Sequence, residues 1–197
     1  MGNLERIKEW FPWPDEKPCG NGVLDGWFAG DNQFMLSEVL SDKTAMVCEI
    51  GSWQGVSARF LCEHAPNATI ICIDTWLGSI EHRINPEWRT QLPLLYETFL
   101  ANMWDYRERV VPMRQSSTAG IHILHDHKIA PEVFYLDAAH DELSVRADLW
   151  LLLWLFPRAI VIGDDWTLDS VQRAVYHCTQ ERGRELISLG TGWKVLP

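Results

Sequence analysis

The sequence has no run of lysines and arginines, no CxxC pair and no long apolar stretch. Its formal net charge of −10 repels a phosphate backbone, so we expect no nucleic-acid partner. Five irregularly spaced cysteines favour neither a disulfide framework nor a zinc site. The longest apolar stretch, residues 149–157, is far shorter than the roughly 20 residues that span a bilayer. With a charged N-terminus that lacks a secretion signal, these absences predict a cytoplasmic protein with no membrane partner.

What is present is typical of one globular domain. Apolar residues make up 47% and charged residues 22% of the 197 positions. We predict a single domain over residues 1–197, in which 1–43 form an N-terminal arm or helical cap and 44–197 form the core. Three aromatic residues of the arm are expected to be exposed and to offer a surface to a second subunit of a homo-oligomer: Trp10, Phe11 and Trp13.

Strand-like and helix-like segments alternate along the chain, a pattern that predicts an α/β fold with helices on both faces of a parallel sheet. The short apolar runs that predict strands are residues 45–50, 69–74, 110–113, 133–137 and 159–162. A helical face recurs at Leu143, Ala147, Trp150, Leu151 and Trp154. The tail, residues 185–189 and 193–196 around a GTG turn, predicts a terminal β-hairpin.

The first strand ends in an acidic residue and two glycines, Glu49, Gly51 and Gly55, in the segment EIGSWQG. Glycine permits a tight turn and a close approach of the backbone to a ligand. The spacing differs from the GxGxxG fingerprint of dinucleotide sites, which argues against NAD. Asp74 ends the second strand and has the position of an acid that accepts hydrogen bonds from a ribose. Two glycines at a simple strand-to-helix turn remain the alternative explanation.

A second group of polar residues follows the fourth and fifth strands: Asp137, His140, Asp164 and Asp165. Three carboxylates at neighbouring strand ends repel one another unless a cation joins them, and oxygen ligands favour Mg²⁺, with Mn²⁺ or Ca²⁺ as substitutes. We therefore predict a metal held by the three aspartates, with His140 as a general base. In the alternative without a metal, Asp164 or Asp165 caps the following helix, and His140 and Asp141 begin the preceding one.

The segments EIGSWQGVSARFL, ICIDTWLGS, VFYLDAAHDELSVRADLWLLLW and VIGDDW resemble motifs of class I S-adenosylmethionine-dependent methyltransferases. The resemblance covers residues 44–182 and is strongest to a small-molecule O-methyltransferase branch, similar to catechol O-methyltransferase-like and macrolide-sugar methyltransferases. It implies a Rossmann-like, mostly parallel seven-stranded sheet with an antiparallel C-terminal strand. The sequence departs from that branch where Phe156, Pro157 and Arg158 replace a Pro-Gly-Gly turn.

By this resemblance, ten residues surround S-adenosylmethionine: Glu49, Gly51, Ser52, Trp53, Gly55, Asp74, Thr75, Trp76, Ser116 and Asp137. Asp74 holds the ribose, and Thr75, Trp76 and Ser116 flank the adenine. Asp137 and His140 are the catalytic candidates, and the metal lowers the pKa of an acceptor hydroxyl.

The leading hypothesis is metal-assisted O-methylation of a small hydroxylated molecule. Its alternatives are a catalytically silent protein that binds the cofactor and a metal-dependent hydrolase on a similar sheet. Contacts with the acceptor are expected from residues 1–30, from 77–109 and from the loop after Trp166.

Overall fold

The computed structural model describes residues 2–28 and 30–197, and within them seven strands form one sheet. The strands are β1 (Met46–Ile50), β2 (Thr69–Asp74), β3 (Val110–Arg114), β4 (Val133–Leu136), β5 (Ile160–Gly163), β6 (Leu186–Leu189) and β7 (Gly192–Val195). Their order is β3-β2-β1-β4-β5-β7-β6. The first five strands are parallel, and β7 runs antiparallel to both β5 and β6. The Rossmann-like methyltransferase fold and the terminal hairpin are confirmed.

Helices connect and cover the strands. They are α1 (Asn3–Trp10), α2 (Gly30–Ser37), α3 (Val56–His64), α4 (Ile80–Ile84), α5 (Pro86–Arg89), α6 (Leu95–Asn102), α7 (Ser117–Asp126), α8 (Glu142–Leu155) and α9 (Asp169–Arg182), with 3-10 turns at Leu92–Leu94 and Trp104–Tyr106. No helix in the described part of the chain is long and apolar enough to cross a membrane.

Both faces of the sheet are buried because apolar side chains alternate between them along each strand. In β1, Cys48 and Ile50 pack towards α1, α7, α8 and α9, whereas Val47 packs towards α2, α3 and α6. Glu49 lies on the same face as Val47 and is fully buried. Glu49, near the carboxyl end of β1, is therefore shielded from water by the helices that cover this face of the sheet.

The predicted helix with Leu143, Ala147, Trp150, Leu151 and Trp154 on one face is α8. In α8 the inward residues include Val145, Leu149 and Leu152, while Trp150 and Trp154 lie at the surface, stacked on each other at 5.5 Å between ring centroids. The helix is thus confirmed, but the aromatic face points outward, because both of its faces are apolar and periodicity alone does not choose between them.

The three aromatic residues of the N-terminal arm differ in exposure. Trp10 is 51% exposed, but Phe11 packs against the core. Trp13 is half-buried and donates a hydrogen bond from Nε1 to the Val110 carbonyl at 2.8 Å. The contact of these residues with a second subunit stays a prediction, and Trp10 is the most exposed of the three side chains.

Residues 20–28, which we call the strap, run from the arm across α6 and α3. The Asn21 amide donates to Thr98 Oγ1 at 3.0 Å, and Asn102 Nδ2 donates to the Val23 carbonyl at 2.9 Å. The Asp25 amide donates to Gln54 Oε1 at 2.9 Å. These contacts fix the strap beside the carboxyl ends of β1 and β2.

Candidate active site

A cavity of about 550 Å³ lies beyond the carboxyl ends of the parallel strands. Its walls come from the loops after β1, β2, β3, β4 and β5 and from the strap. The strand order reverses between β1 and β4, and open α/β sheets bind ligands at such a switch point. The volume is within the range of pockets that hold a drug-sized ligand.

Gly51 and Gly55 shape the loop after β1, and both have a positive φ, of 92° and 97°. A Cβ on Gly51 would lie 1.9 Å from the carbonyl oxygen of Asp137, so any side chain collides with the end of β4. A Cβ on Gly55 would meet the side chains of Met103 and Phe99 at 3.1 and 3.3 Å. Both glycines are therefore required by contacts within the protein, and Gly51 also lines the cavity.

Asp74 at the end of β2 holds the loop after β1 in place. Its Oδ2 accepts hydrogen bonds from the amides of Ser52 and Trp53 at 3.0 and 2.9 Å, and its Oδ1 accepts from the Trp76 amide at 2.7 Å. Burial raises the pKa of Asp74, and these backbone donors oppose the rise. The carboxylate lines the cavity and keeps unused acceptor capacity on Oδ1.

Glu49 is buried beneath the same loop, and neither it nor Gly55, both expected at the cofactor, lines the cavity. Neither carboxylate oxygen has a hydrogen-bond partner among the described residues, and the Ser52 hydroxyl above it is also unpartnered. Burial raises the pKa of Glu49 to about 7, while the nearby Ser52, Ser57 and Cys72 side chains oppose this rise. An unsatisfied buried acid is costly, so a positively charged or hydrogen-bonding ligand group at this position would be stabilised.

The expected adenine-flanking residues separate into two groups. Thr75 and Ser116 line the cavity, and Ser116 also caps α7 by accepting from the Ala119 amide. Trp76 is 1% exposed and does not line the cavity, because its ring packs on Tyr96 and Phe99 in the core.

Trp76 nevertheless holds the loops after β1 and β2 together. Its indole Nε1 donates a hydrogen bond to the Trp53 carbonyl at 2.9 Å, and its backbone amide donates to Asp74. Gln115, which the sequence did not single out, lines the cavity next to Ser116.

The polar residues after β4 and β5 lie close together, but the group that could hold a metal contains His140 in place of the predicted Asp164. Ligand atoms of Asp137, His140 and Asp165 lie within 4.8 Å of one another, close enough to hold one metal ion. Asp164 lines the cavity but is outside this group, and its Oδ1 accepts from the Asp165 amide at 2.7 Å. Asp165 has a positive φ of 61°, an uncommon conformation that directs its carboxylate towards His140.

Electrostatic repulsion is concentrated in this group. Burial raises the pKa of Asp137 well above its ordinary value, and the charges of Asp164 and Asp165 raise it further. The Tyr135 hydroxyl donates to Asp137 Oδ2 at 3.2 Å. A divalent cation between these carboxylates would relieve the repulsion, so the donor set fits a hard metal ion.

His140 lies between two carboxylates. Its Nε2 is 3.0 Å from Asp165 Oδ2, and its Nδ1 is 3.3 Å from Glu81 Oε2. The hydrogen bond to Asp165 raises the pKa of His140 to about 9, against an opposing effect of burial. Glu81, on the short helix α4, was not found from the sequence because its segment showed no readable period.

The helix-capping alternative is correct for one residue. Asp141 is the N-cap of α8 and accepts from the Ser144 amide at 3.0 Å. Neither Asp164 nor Asp165 caps α9, whose N-cap is Leu168 without a side-chain hydrogen bond. The acids after β5 are therefore not explained by helix capping.

Four aromatic rings form one side of the cavity, and we call them the aromatic wall: Trp27, Trp53, His82 and Trp88. The rings of Trp53 and His82 stack at 4.3 Å, and those of Trp27 and Trp88 meet edge-on at 4.9 Å. Only Trp53 was named as a site residue from the sequence. The other three come from the strap, α4 and α5, within the segments 1–30 and 77–109 from which acceptor contacts were expected without particular residues.

Comparisons with known proteins agree with this architecture. The sequence profile of a family described as "Methyltransferase domain" matches residues 48–166, more than half of the chain. No curated protein matches the sequence.

Solved structures share the fold at low sequence identity. An O-methyltransferase from Bacillus cereus in complex with SAH superposes with a TM-score of 0.61 and 14% identity, covering 99% of this chain and 90% of that one. A calicheamicin methyltransferase gives 0.57 and 14%, covering 83% and 76%. Precorrin 8w decarboxylase from Methanobacterium thermoautotrophicum gives 0.58 and 16%, covering 93% and 98%.

The names of these neighbours include a decarboxylase, so fold likeness alone does not assign a reaction. The family match carries more weight because it includes the glycine loop, Asp74 and the acids after β4 and β5. The chain thus belongs to the methyltransferase-domain family and has the Rossmann-like class I fold, which supports S-adenosylmethionine-dependent methyl transfer as its activity.

Proposed function

We propose that the protein transfers the methyl group of S-adenosylmethionine to a hydroxyl oxygen of a small acceptor with the assistance of a divalent cation. One observation carries this proposal. The ligand atoms of Asp137, His140 and Asp165 converge within 4.8 Å in the same cavity that holds the glycine loop and Asp74. A cation held by this group would thus lie beside the cofactor.

The residues beside β1 and β2 fit the cofactor. Ser52 lines the cavity and offers an unpaired hydroxyl to the methionine portion. Glu49 lies behind this loop, outside the cavity wall, and its unpaired carboxylate would reach the amino group only if the loop shifted. Asp74 offers Oδ1 to a ribose hydroxyl while its three backbone hydrogen bonds keep it oriented. Thr75 and Ser116 lie where the adenine would extend.

Asp137 and Asp165 would hold the cation, with Asp164 beside them. S-adenosylmethionine supplies an electrophilic methyl group, and the cation lowers the pKa of the acceptor hydroxyl and orients its oxygen. Mg²⁺ is the preferred ion because the carboxylates are hard oxygen ligands.

His140 is the group that would accept the hydroxyl proton, at Nε2. That atom now contacts Asp165, and the contact raises the pKa of His140 to about 9, so the ring is protonated near pH 7 while the contact lasts. A cation bound by the Asp165 carboxylate would remove this contact and lower the pKa of His140, which would free Nε2 to accept the proton. Glu81 meanwhile holds Nδ1 and keeps the ring facing the cavity. The same contacts explain why Glu81, a residue of α4, belongs to the site.

The cofactor is tested by calorimetric titration with S-adenosylhomocysteine, for which we expect saturable binding. If S-adenosylhomocysteine does not bind, the proposal is contradicted at its first step.

The cation is tested by titrating Mn²⁺ and following its electron paramagnetic resonance signal. We expect Asp137→Asn to weaken Mn²⁺ binding at least about tenfold while S-adenosylhomocysteine still binds.

Asp141→Asn is the matched control, because Asp141 is four residues away and caps α8 outside the cation site. It should leave Mn²⁺ binding unchanged. Methyl transfer to a hydroxylated acceptor that proceeds at the same rate in EDTA would contradict metal assistance but leave the cofactor assignment standing.

A further inference from the structure

The strap completes the cavity by adding an aromatic side chain and a carboxylate to its rim. Trp27 lies 5.9 Å from Trp53 and 5.7 Å from His82, between ring centroids, and is 54% exposed. A large indole that remains half in solvent, in contact with three other rings, offers a ready stacking surface for a planar ligand.

The aromatic wall is continuous with the acid cluster. His82 follows Glu81 on α4, and Glu81 contacts His140, which contacts Asp165. A molecule that rests on the wall therefore has its far end near the atoms that would hold the cation and accept a proton. The cofactor residues Asp74, Thr75 and Ser116 belong to the loops after β2 and β3, so the wall adjoins the cofactor site on its acceptor side.

The charge of the cavity is strongly one-sided. Six carboxylate residues line it, Asp25, Asp74, Glu81, Asp137, Asp164 and Asp165. No lysine or arginine is among the described lining residues. With the cation and the cofactor bound to the inner carboxylates, Asp25 at the rim keeps its negative charge and would repel a carboxylate or phosphate group of an acceptor there.

Most of these carboxylates are already engaged. Asp74 accepts three backbone hydrogen bonds, and Glu81 faces His140. Asp25 differs, because it is exposed at the rim, two residues from Trp27, and no ion pair of the described chain includes it. Its Oδ1 accepts only the adjacent Gly26 amide. An aromatic face beside such a carboxylate favours a cation.

We propose that the aromatic wall and Asp25 form the acceptor subsite, and that the acceptor is a hydroxylated planar ring that carries a positively charged group. The proposal rests on the methyl-transfer function above and specifies its substrate class. The ring stacks on Trp27 beside the edge-on ring of Trp88, the ammonium group faces Asp25, and the hydroxyl points towards His140.

The test uses three probes that share one hydroxyphenyl ring and differ in charge: tyramine, p-cresol and 4-hydroxyphenylacetate. Dissociation constants are measured by ligand-observed NMR with S-adenosylhomocysteine and Mg²⁺ present. We expect tyramine to bind about tenfold more tightly than p-cresol and 4-hydroxyphenylacetate to bind more weakly than either. Equal binding of the anionic and cationic probes would overturn the proposal, as would no saturable tyramine binding up to about 10 mM.

Two variants separate the contributions of charge and ring. Asp25→Asn should remove the preference for tyramine over p-cresol and leave p-cresol binding unchanged. Trp27→Ala should weaken both probes at least about fivefold, whereas Trp154→Ala, an exposed tryptophan on the outer face of α8, should change neither. Unchanged tyramine binding in Trp27→Ala would show that the ring does not rest on the wall.

S-adenosylhomocysteine titrations on the same variants keep this proposal distinct from the proposed function. If the cofactor binds and the probes do not discriminate by charge, the subsite is wrong and methyl transfer stands. If the cofactor fails to bind to the unmodified protein, the proposed function fails, and the subsite proposal that rests on it fails with it.

Discussion

At the scale of single residues, Gly51 connects the two halves of the site. Its backbone amide donates to the Ile73 carbonyl of β2 at 2.9 Å, and its Cα faces the Asp137 carbonyl of β4. The glycine loop and the acid cluster are thus packed directly on each other. A side chain at this position would push the loop after β1 away from the residues that follow β4.

We expect Gly51→Ala to lower the free energy of unfolding by roughly 3 kcal/mol, from a positive φ and from overlap with backbone. Gly183→Ala is the matched control, because Gly183 also has a positive φ, of 61°, but meets nothing within 4 Å. It should cost only about 1 kcal/mol. Urea unfolding compares the two, and equal costs would show that the contact with Asp137 is unimportant.

Glu49 makes stability depend on pH in a direction that the structure specifies. Its pKa in the folded protein is about 7, above the ordinary value of 4.5. The folded state therefore holds this proton more tightly than the unfolded state. The resulting stabilisation is fully present below pH 4.5 and is lost as the pH rises through 7.

Glu49→Gln should therefore be more stabilising at pH 8 than at pH 5, by about 2–3 kcal/mol in the difference between the two pH values. Using this difference cancels any constant cost of the substitution. Urea unfolding of both proteins at both pH values gives the measurement. Glu63→Gln, which removes an exposed pair with Arg59, should change stability by less than about 1 kcal/mol at either pH.

At the scale of elements, the strap decides whether the cavity is complete. Asn102 at the end of α6 ties it down, since Nδ2 donates to the carbonyls of Val23 and Gln54, both at 2.9 Å. The strap has no strand or helix of its own, so its order depends on side chains of α6 and of the loop after β1.

Replacing this residue should loosen the strap without unfolding the sheet. In Asn102→Ala we expect amide hydrogens of residues 21–28 to exchange about tenfold faster, because each of the two lost hydrogen bonds contributes roughly 1 kcal/mol. Hydrogen-exchange mass spectrometry measures this, with peptides of α8 as the internal reference. Asn67→Ala, which removes a similar hydrogen bond to Asp42 far from the strap, should not alter exchange there.

The elements also mark the limit of what the sequence predicts. Buried strands such as residues 69–74 are recognisable because they are short, β-branched and bounded by turn residues. The aromatic wall was not predictable, since Trp27 and Trp88 come from a strap and a four-residue helix without a repeating pattern. Both faces of α8 are apolar, so its period predicts a helix but tertiary packing decides which face lies against the sheet.

At the scale of the whole molecule, strand order explains why distant motifs meet. The sequence identifies residues after β1, β2, β4 and β5 as functional candidates, and the parallel sheet brings them to one edge. The conformation of the loops at this edge could not be predicted from the sequence. Trp53, Trp76 and Asp165 adopt positive φ angles that are sustained by contacts such as the Asp74 hydrogen bonds, so their orientations are tertiary properties.

The two hydrophobic clusters lie on opposite faces of one sheet, so we expect residues 1–197 to unfold in a single transition. S-adenosylhomocysteine at about 100 times its dissociation constant should add about 2.7 kcal/mol and raise the melting temperature by roughly 5–10 °C.

Differential scanning calorimetry with and without the ligand tests both statements. Two separated transitions would contradict a single domain. If the ligand raised the melting temperature of only one of two transitions, its site would lie in the part of the protein that melts in that transition. The cavity instead combines the strap with the loops after five strands. A uniform upward shift of one transition is therefore the result that the architecture requires.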